Sequence, residues 1–547
     1  MIARRRAPRR DHYDAVVVGA GPNGLVAANV LADAGWGVLV VEEQPVPGGA
    51  VASAPYLGTD LAADVCSAFY PLAAASPAFT SLRLAEHGLE WCHAPVVLAN
   101  PFPGGDAAAL YPDLEETAER LDSDARGDGA AWRGLFDLHR RASPALLDAL
   151  CTPFPPLRPA ARLLHVLGAG GLLRFVRLAL LSARRLGEEE FAGTHGPVLI
   201  AGCAAHTDLS PESAGGGFIG WLLAMLGQSY GFPVPRGGAG ELTAALVRRL
   251  EARGGELALG SRVVGVTVAR GRARAVETEE GITYHARRAV LADVSPTALY
   301  GELLDPRLLP QRVPDDVRRF HWDPATVKVD WRVRAGIPWR APLARRAGTV
   351  HLAGSVDELT RCSAALATGA VPAEPFLIVG QPAVADTSRT SGGEVAIWAY
   401  THVPAVVRAD PCGVLQGSWS ETQLAAFADR LECRIEAEAP GFRAHVVARH
   451  VMGPADLAAH DANLVHGALN GGTSSLHQQL VFRPIPGLGR PETPVASLYL
   501  ASAGAHPGGG VHGACGWNAA RAALATSGGA RRVVGRALVQ AERHLGR

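Results

Sequence analysis

The fold is decided by residues 13–42, which read YDAVVVGAGPNGLVAANVLADAGWGVLVVE. The apolar run from Tyr13 to Val18 predicts a strand, the glycine-rich turn predicts a sharp reversal, and residues 25–31 have helical spacing. Val38–Val41 predicts a second strand, which ends on Glu42. A strand, a G-x-G-x-x-G turn, a helix and a strand within about 30 residues are typical of a dinucleotide-binding βαβ unit.

The turn suits the phosphates of a dinucleotide. Its first glycine permits the tight turn, the second lets the backbone approach a pyrophosphate, and the third lets helix and strand pack closely. The helix N-terminus offers unpaired N–H groups to the anion. The residues assigned to the cofactor here are Gly19, Gly21, Pro22, Asn23 and Gly24.

An acidic pair follows the second strand. Glu42 is placed to accept hydrogen bonds from both ribose hydroxyls, and Glu43 is assigned to the same site. An acid at this position repels a 2′-phosphate, which argues against NADP. The turn and the acid together leave NAD and FAD both open.

Composition excludes several classes of function. Lys+Arg and Asp+Glu number 52 each, and the basic block is confined to a short tail within residues 1–10, so we predict no nucleic acid partner. The eight cysteines form no C-x-x-C pair and no His/Cys metal spacing. We therefore predict no bound metal and a cytoplasmic location.

Two further glycine-rich segments extend the cofactor site. Gly48 and Gly49 follow soon after Glu42, and residues 498–521 read LYLASAGAHPGGGVHGACGWNAAR. This second stretch predicts a strand over 497–502, a loop, and a helix from about Asn518 to Ala525. Both ends of the chain thus carry a strand, a glycine loop and a helix.

The C-terminal stretch resembles the closing FAD motif of the phytoene desaturase-like family, especially its pyridine nucleotide-disulfide oxidoreductase domain 2 branch. The resemblance continues over residues 235–242 and 478–487. It implies FAD as the cofactor, a loop that passes against the flavin, and a helix whose positive end faces the flavin. It also implies strand contacts to the adenine. The residues it assigns are Val263, Val264, Gly504, Gly508, Gly509, Gly510, Val511 and Gly513.

The Gly48–Gly49 pair resembles the extended motif of FAD enzymes such as glutathione reductase and the amine oxidases. Many of these enzymes continue with arginine, whereas this chain has Ala50. We expect an α/β fold in which a Rossmann-type FAD-binding domain of the glutathione reductase and amine oxidase kind interleaves with an α+β substrate domain. Residues 1–10 are predicted as a basic tail, 11–95, 235–300 and 480–547 as the FAD-binding domain, and 96–234 and 301–479 as the substrate domain with a partly helical cap.

Two residues are candidates for the chemistry. Lys328 lies in a segment that resembles the strand of monoamine oxidase-like enzymes whose lysine holds a water against the flavin. The alternative, which the sequence favours, is a structural lysine at a sheet edge or in a salt bridge with Asp330 or another acid. His506 precedes the glycine loop, where it either faces the substrate or stabilises the turn. His206, His466 and His477 fall near the substrate domain and are interpreted as structural.

Residues 161–185 combine leucines with arginines in a helical pattern. Such a helix either lies in a membrane interface or covers the core of the substrate domain. Its arginines and glycines argue against a spanning helix. Peripheral membrane contact is therefore one alternative for this segment.

These features predict an FAD-dependent oxidoreductase that takes a hydride from a hydrophobic substrate, with desaturation of a carbon–carbon bond in a carotenoid or phytoene-type molecule as the leading hypothesis. Because a second G-x-G-x-x-G unit is absent from the sequence, we expect oxygen or a quinone as the electron acceptor. The alternatives are an amine oxidase, a redox-neutral isomerase or saturase on the same scaffold, and a flavin-stabilised interaction protein without turnover.

Overall fold

The computed structural model describes residues 8, 10–58 and 61–527. The tail predicted for residues 1–10 lies outside the described residues, apart from residues 8 and 10, and so does the predicted end of the FAD-binding domain beyond residue 527.

Nineteen strands are described. They are β1 (His12–Val18), β2 (Val38–Glu42), β3 (Ser53–Ala54), β4 (Ala63–Asp64), β5 (Trp91–Cys92), β6 (Val96–Pro101), β7 (Ala107–Leu110), β8 (Val234–Pro235), β9 (Glu256–Leu259), β10 (Val263–Ala269), β11 (Arg272–Thr278), β12 (Thr283–Ala292), β13 (Ala325–Arg334), β14 (Ala347–Leu352), β15 (Leu377–Gly380), β16 (Thr390–Ser391), β17 (Glu394–Val403), β18 (Val446–Met452) and β19 (Leu498–Leu500).

Nineteen α-helices accompany them, with short 3₁₀ and π turns between. They are α1 (Pro22–Asp33), α2 (Pro71–Ala75), α3 (Pro77–Ser81), α4 (Leu114–Asp124), α5 (Asp128–Leu150), α6 (Leu157–Leu180), α7 (Ala183–Glu190), α8 (His195–Ala204), α9 (Gly216–Tyr230), α10 (Gly240–Ala252), α11 (Pro296–Ala298), α12 (Arg312–Arg318), α13 (Pro342–Arg346), α14 (Val356–Ala367), α15 (Pro382–Ala385), α16 (Glu421–Glu438), α17 (Phe442–His445), α18 (Pro454–His460) and α19 (Ala514–Ser527).

The first sheet is the Rossmann-type sheet. Its order is β10-β11-β12-β1-β2-β9, and β19 pairs with β12. The strands β9, β2, β1, β12 and β19 are parallel to one another, while β10, β11 and β12 form an antiparallel meander. Helices α1, α10 and α19 pack on one face, so β1 is buried on both sides and its valine run is explained.

The second sheet has eight strands in the order β18-β13-β17-β15-β14-β6-β7, with β16 on β17. One face packs against helix α16 around a core that includes Trp331 and Phe427. The opposite face packs against the helices α5 to α9, and that core includes Trp221 and Trp398. The sheet thus lies between helix α16 and a helical cap.

The structure confirms the predicted mixed α/β class with a Rossmann-type unit. Short apolar runs separated by turn residues also predict strands over Glu256–Leu259, Val263–Val268, Arg272–Thr278, Ile282–His285 and Ala289–Ala292. The first three have nearly the predicted bounds. The expected strands at 282–285 and 289–292 are one strand, β12. Helix α19 begins at Ala514 rather than near Asn518. Division of the chain into two interleaved domains stays a prediction.

The helix predicted over 161–185 has different bounds. Helix α6 spans Leu157–Leu180, kinks at Gly168 and ends before Ser182, whose hydroxyl accepts a hydrogen bond from the Arg185 N–H and caps the next helix. Pro159 sits in the first turn, where a proline removes no intrahelical hydrogen bond. The pattern of leucines gave the helix but not the capping serine that divides the segment.

Candidate FAD-binding and active site

The N-terminus of α1 is built to receive an anion. Gly21 is its N-cap residue and provides no side-chain cap, Pro22 follows, and the first turn carries no acid. Gly19 has a φ of +95°, a conformation that favours glycine. The helix therefore leaves its first N–H groups and the positive end of its dipole directed at the turn.

Asp293, at the carboxyl end of β12, supports this turn from below. Its Oδ2 atom accepts a hydrogen bond of 2.7 Å from the Gly24 N–H. A Cβ atom on Gly21 would lie 2.9 Å from the same oxygen, so the second glycine is required by this carboxyl group as well as by a ligand. Burial raises the pKa of Asp293 to about 8, which keeps the carboxyl group largely neutral near pH 7. Nothing in the local sequence indicated this contact.

Glu42 ends β2 beside the turn, as the sequence predicts. Its carboxylate accepts hydrogen bonds from the N–H groups of Ala20 (2.6 Å) and Gln44 (2.8 Å). Burial raises its pKa to about 6, although the two backbone donors oppose this. Each carboxylate oxygen keeps a lone pair for a ribose hydroxyl. Glu43 lies beside Arg262, with 3.8 Å between Oε2 and Nε.

The second glycine pair touches the first turn. The Gly48 N–H donates to the Ala20 carbonyl (3.0 Å), and a Cβ atom on Gly49 would lie 3.5 Å from the Gly21 Cα and 2.8 Å from the Asp461 Oδ2. Asp461 is half-buried, and desolvation of its carboxyl group raises its pKa. This acid was not predicted, because it reaches the site from helix α18.

Val263 and Val264 begin β10. Val263 is buried and Val264 is exposed. The preceding Ser261 N–H donates to the Glu42 carbonyl (2.8 Å), which places the start of this strand beside the predicted ribose acceptor. The location is compatible with the adenine contact implied by the family resemblance, which itself stays a prediction.

The C-terminal glycine loop meets the N-terminal unit. A Cβ atom on Gly513 would lie 2.8 Å from the Val26 side chain, and one on Gly516 would lie 1.9 Å from the Asn23 carbonyl oxygen. Only glycine allows helix α19 to approach α1 this closely. The two ends of the chain therefore form one continuous surface with two helix N-termini.

The remaining loop glycines also pack tightly. A Cβ atom on Gly504 would meet Pro296 at 2.3 Å, one on Gly509 the Asn470 carbonyl at 2.4 Å, and one on Gly510 the Leu72 side chain at 2.7 Å. Gly508 lies against the Arg483 guanidinium, and Val511 packs on the core of the first sheet. The sequence of the loop is thus dictated by its backbone neighbours.

A buried arginine, Arg483, donates hydrogen bonds to the backbone at the start of the C-terminal glycine loop. Arg483 is 1% exposed and donates five hydrogen bonds of 2.8–3.2 Å, all to backbone carbonyls of Thr473, Asn470, Gly471 and Ala503. Among the described residues it forms no ion pair with a carboxylate. The guanidinium therefore places a positive charge beneath the predicted flavin loop.

Two predicted site residues keep unpaired polar atoms. The Asn23 Oδ1 and both ring nitrogens of His506 are buried without a hydrogen-bond partner within the described part of the chain. Burial lowers the pKa of His506 to about 4, so its ring is neutral at pH 7. Buried polar atoms normally find a partner, and unpaired ones beside the glycine loops fit a polar cofactor.

Lys328 lies on strand β13 of the second sheet. Its ammonium forms a buried ion pair with Asp330, whose Oδ2 also accepts a hydrogen bond from the Tyr56 hydroxyl (3.0 Å). Burial raises the pKa of Asp330. The ion pair that the sequence left open as an alternative is thus present. Lys328 is held in this ion pair, whereas the His506 ring is buried without a hydrogen-bond partner within the described part of the chain.

The glycine turns, Glu42 and the two helix N-termini define an FAD-dependent oxidoreductase, and FAD is its cofactor. A family model described as flavin containing amine oxidoreductase matches residues 108–350, and one described as NAD(P)-binding Rossmann-like domain matches residues 17–82. These matches confirm the expected flavoprotein class.

Curated relatives extend over nearly the whole chain. The chain is 27% identical to mouse (Mus musculus) pyridine nucleotide-disulfide oxidoreductase domain-containing protein 2 and 25% identical to the neurosporene-forming phytoene desaturase of Cereibacter sphaeroides. The matches cover 93% of this chain in both cases, and 93% and 94% of the respective relatives. The resemblance to the phytoene desaturase-like flavoproteins is confirmed, and the chain is related to them.

A solved putrescine oxidase, a triple mutant redesigned in its cofactor binding, has the same fold. The TM-score is 0.56 at 17% identity, over 96% of this chain and 99% of that one. This likeness confirms the amine oxidase-like architecture and concerns the fold alone.

Proposed function

We propose that the protein desaturates a carbon–carbon bond of a hydrophobic substrate with FAD as the hydride acceptor. The relationship to phytoene desaturases along the whole chain supports this, as does the helical cap that closes the second sheet with an apolar core. Bound FAD would supply a two-electron acceptor for a substrate hydride. The adjacent carbon loses a proton to water, and the electrons of that C–H bond form the second bond between the two carbons.

The ion pair of Lys328 favours desaturation over amine oxidation. Lys328 was the feature that favoured an amine oxidase, because a free ammonium can hold a water beside the flavin. Here the ammonium is paired with Asp330 in a buried site that Tyr56 completes. Such a pair is costly to break, and this argues against a free ammonium in the catalytic cycle.

The chain's own residues would bind and orient the cofactor. The N-terminus of α1 receives the pyrophosphate, Glu42 accepts from the ribose, and the N-terminus of α19 faces the flavin with its positive end. His506 is neutral and offers a hydrogen-bonding ring beside the loop. Since the sequence offers one dinucleotide motif, we propose oxygen or a quinone as the electron acceptor.

We further propose that the substrate arrives from a membrane through helix α6. By length and composition α6 is the one helix of the described chain that could cross a membrane. Only Pro159, Leu163, Phe175 and Leu178 are buried, while Leu157 and Leu173 are 70% and 72% exposed. The kink at Gly168 and the arginines along the helix favour an interfacial position over a spanning one.

A second apolar segment extends this surface. Leu476, Leu480 and Phe482 are exposed, and Leu476 lies within 3.3 Å of a Cβ position at Gly215, which also faces the Ala179 carbonyl near the end of α6. An exposed apolar face of this extent on a monomer marks a contact surface.

Anaerobic mixing of the holoprotein with phytoene, and separately with putrescine, tests the chemistry. Flavin bleaching by phytoene with formation of a longer conjugated chromophore is the expected result. Bleaching by the amine alone would establish an amine oxidase, and bleaching by neither ligand would favour an isomerase or an interaction protein.

Sedimentation with anionic liposomes tests the membrane contact. The combined change Leu164→Ser, Leu173→Ser and Leu180→Ser removes three exposed leucines from α6 and is expected to lower liposome partition more than tenfold, since each buried leucine contributes about 1.5–3 kcal/mol. Leu308→Ser, at an exposed site elsewhere, is the matched control. Equal partition of both variants would show that α6 covers the protein core only.

A further inference from the structure

Four side chains form a polar group on the second sheet, called here the histidine cluster: His206, His351, Tyr400 and His402. The Nε2 atoms of His206 and His351 are 2.8 Å apart, and the Tyr400 hydroxyl lies 3.4 Å from the His206 Nδ1. The rings of Tyr400 and His402 meet edge to face with centroids 5.9 Å apart. The four side chains therefore form one continuous network.

The cluster lies on the face of the sheet that carries Lys328. In the antiparallel register Tyr400 is directly opposite Lys328, and His402 is opposite Thr326, so these side chains share a face. The neighbouring Val327 and Val329 face the other side, in the core against α16. The cluster is thus placed between the sheet and the helical cap.

The cluster is also adjacent to the predicted flavin loop. The Asn470 side-chain amide donates to the His206 carbonyl (3.4 Å). The Asn470 carbonyl oxygen would lie 2.4 Å from a Cβ atom on Gly509. Asn470 therefore contacts both Gly509 of the glycine loop and the backbone of His206. His206 and Tyr400 are only half-buried, so the cluster borders space that a ligand can reach.

Unpaired polar atoms accumulate on this face. Among the described residues they are the His351 Nδ1, both ring nitrogens of His402, the Trp398 Nε1, and the hydroxyls of Thr326 and Thr349. Thr349 and Trp398 share one row across the sheet through Gly380. Native proteins rarely bury polar atoms without partners. So many on one face indicate a bound group that satisfies them.

The charges of the cluster restrict that group. Burial lowers the pKa of His206 to about 3 and also lowers the pKa values of His351 and His402, so the three rings are neutral at pH 7. Two carboxylates act on His402, and both already have donors. Asp323 accepts from the N–H groups of Leu469, Asn470 and Gly472. Asp208 accepts from the Thr473 hydroxyl and from the Ser474 N–H. The described groups offer no free anion to a cationic amine and no cation to a carboxylate.

We propose that the histidine cluster binds an uncharged oxygen function, a hydroxyl or a carbonyl, on an otherwise hydrophobic substrate. The inference rests on the proposed oxidation of a hydrophobic molecule at the FAD site, and it narrows the substrate from a pure hydrocarbon to an oxygenated one. A hydrocarbon leaves the polar atoms of this face unpaired, and sites built for a hydrogen-bonding group discriminate strongly against analogues without it.

The test uses four ligands with one C15 isoprenoid chain: farnesene, farnesol, farnesal and farnesylamine. Each is titrated anaerobically into the holoprotein, with the flavin absorbance spectrum reporting both binding and bleaching. The alcohol or the aldehyde is expected to bind at least tenfold more tightly than farnesene. The better of these two identifies the oxygen function.

Two variants locate the preference. Tyr400→Phe and His402→Leu are expected to reduce it to less than threefold while the farnesene affinity stays unchanged. His139→Leu removes another buried histidine with an unpaired nitrogen, in α5, and should keep the full preference. Unaltered FAD content and thermal stability show that each variant is folded.

The outcomes separate the two claims. Tight binding of farnesene, tightest binding of farnesylamine, a preference that survives both variants, or no spectral response to any ligand would overturn the inference. Selective binding of the oxygenated ligands without any bleaching, by these or by phytoene, would support the site and overturn the proposed oxidation.

Discussion

Replacing Glu42 by glutamine should remove a pH dependence from FAD binding. The Glu42 carboxylate is buried at the tip of β2, and burial raises its pKa from 4.5 to about 6. The negative charges of Asp461 and Glu43 act in the same direction. The pKa of Asp293 is higher, at about 8, so this group stays mostly protonated between pH 5 and pH 7.

The direction of the pH effect depends on whether the cofactor-free and the FAD-bound protein prefer protonated or ionised Glu42. In the cofactor-free folded protein Glu42 binds its proton more tightly than in the unfolded chain. Its contribution to stability is therefore fully present below about pH 4.5 and is lost, by about 2 kcal/mol, as the pH rises through about 6. Ribose hydroxyls donate to the ionised carboxylate, so FAD binding requires loss of that proton. FAD should therefore bind about tenfold more weakly at pH 5 than at pH 7.

The assay is titration of the cofactor-free protein with FAD at pH 5, 6 and 7, followed by quenching of flavin fluorescence. Glu42→Gln is expected to bind FAD more weakly at pH 7 by about 1.5–3 kcal/mol, because it loses a charged acceptor, and with an affinity that does not change with pH. Glu86→Gln, on the exposed surface, is the matched control and should keep the wild-type slope.

Two results would refute this reasoning. Equal wild-type affinity at pH 5 and pH 7 would mean that Glu42 does not accept from the ribose. A slope that persists in Glu42→Gln would assign the titration to Asp461, the half-buried acid that contacts the glycine turns.

Three further changes test the packing of the site. Gly24→Ala places a methyl group 2.2 Å from a backbone carbonyl and should give colourless protein with a lowered melting temperature. The control Gly134→Ala, in open space on α5, should be neutral or stabilise the protein by up to about 1 kcal/mol. Retained FAD in Gly24→Ala would contradict the tight turn. Asp293→Asn should retain FAD, because a neutral acceptor remains, and Asp293→Ala should lose at least about 1 kcal/mol of FAD affinity in the same titration. Lys328→Met should lower stability in thermal unfolding by about 3–5 kcal/mol, because Asp330 stays buried without a positive partner, with only the Tyr56 hydroxyl as a donor. The double change with Asp330→Leu should recover much of this loss, and an unchanged melting temperature in the single variant would mean that the ion pair is not formed.

The N-terminal unit could be predicted from sequence because its signals are local. The valine run, the glycine spacing and the acid at the strand end lie within residues 13–42, and each has a direct backbone meaning. The strands from 256 to 278 were found for the same reason: alternation and turn residues are neighbours in the chain. Family resemblance was needed to place residues 498–521 beside this unit, because spacing alone gives no tertiary contact.

The parts that were missed depend on topology. Asp293 reaches Gly24 only because β12 lies beside β1. Arg483 joins the Ala503 carbonyl of the glycine loop to three carbonyls of residues 470–473. The histidine cluster combines β14, β17 and the end of α8. A partial signal did exist, since Trp398, Tyr400 and His402 alternate with Ala399 and Thr401 along one strand. Because successive strand residues point to opposite faces, this alternation places the three rings on one face of the strand.

The electrostatics of the cleft differ between its two halves. The half near α1 contains three acids, the buried Glu42 and Asp293 and the half-buried Asp461, and desolvation raises the pKa of each. Because Asp293 is largely neutral near pH 7, the helix dipole can act on the pyrophosphate without an opposing charge directly behind the turn. The half near α19 contains the positively charged Arg483 and the positive end of a helix. Negative charge that accumulates on the flavin during reduction would therefore meet positive potential, whereas the ADP half gains nothing from reduction. This asymmetry favours a protein that accepts electrons readily from a poor donor such as a C–H bond.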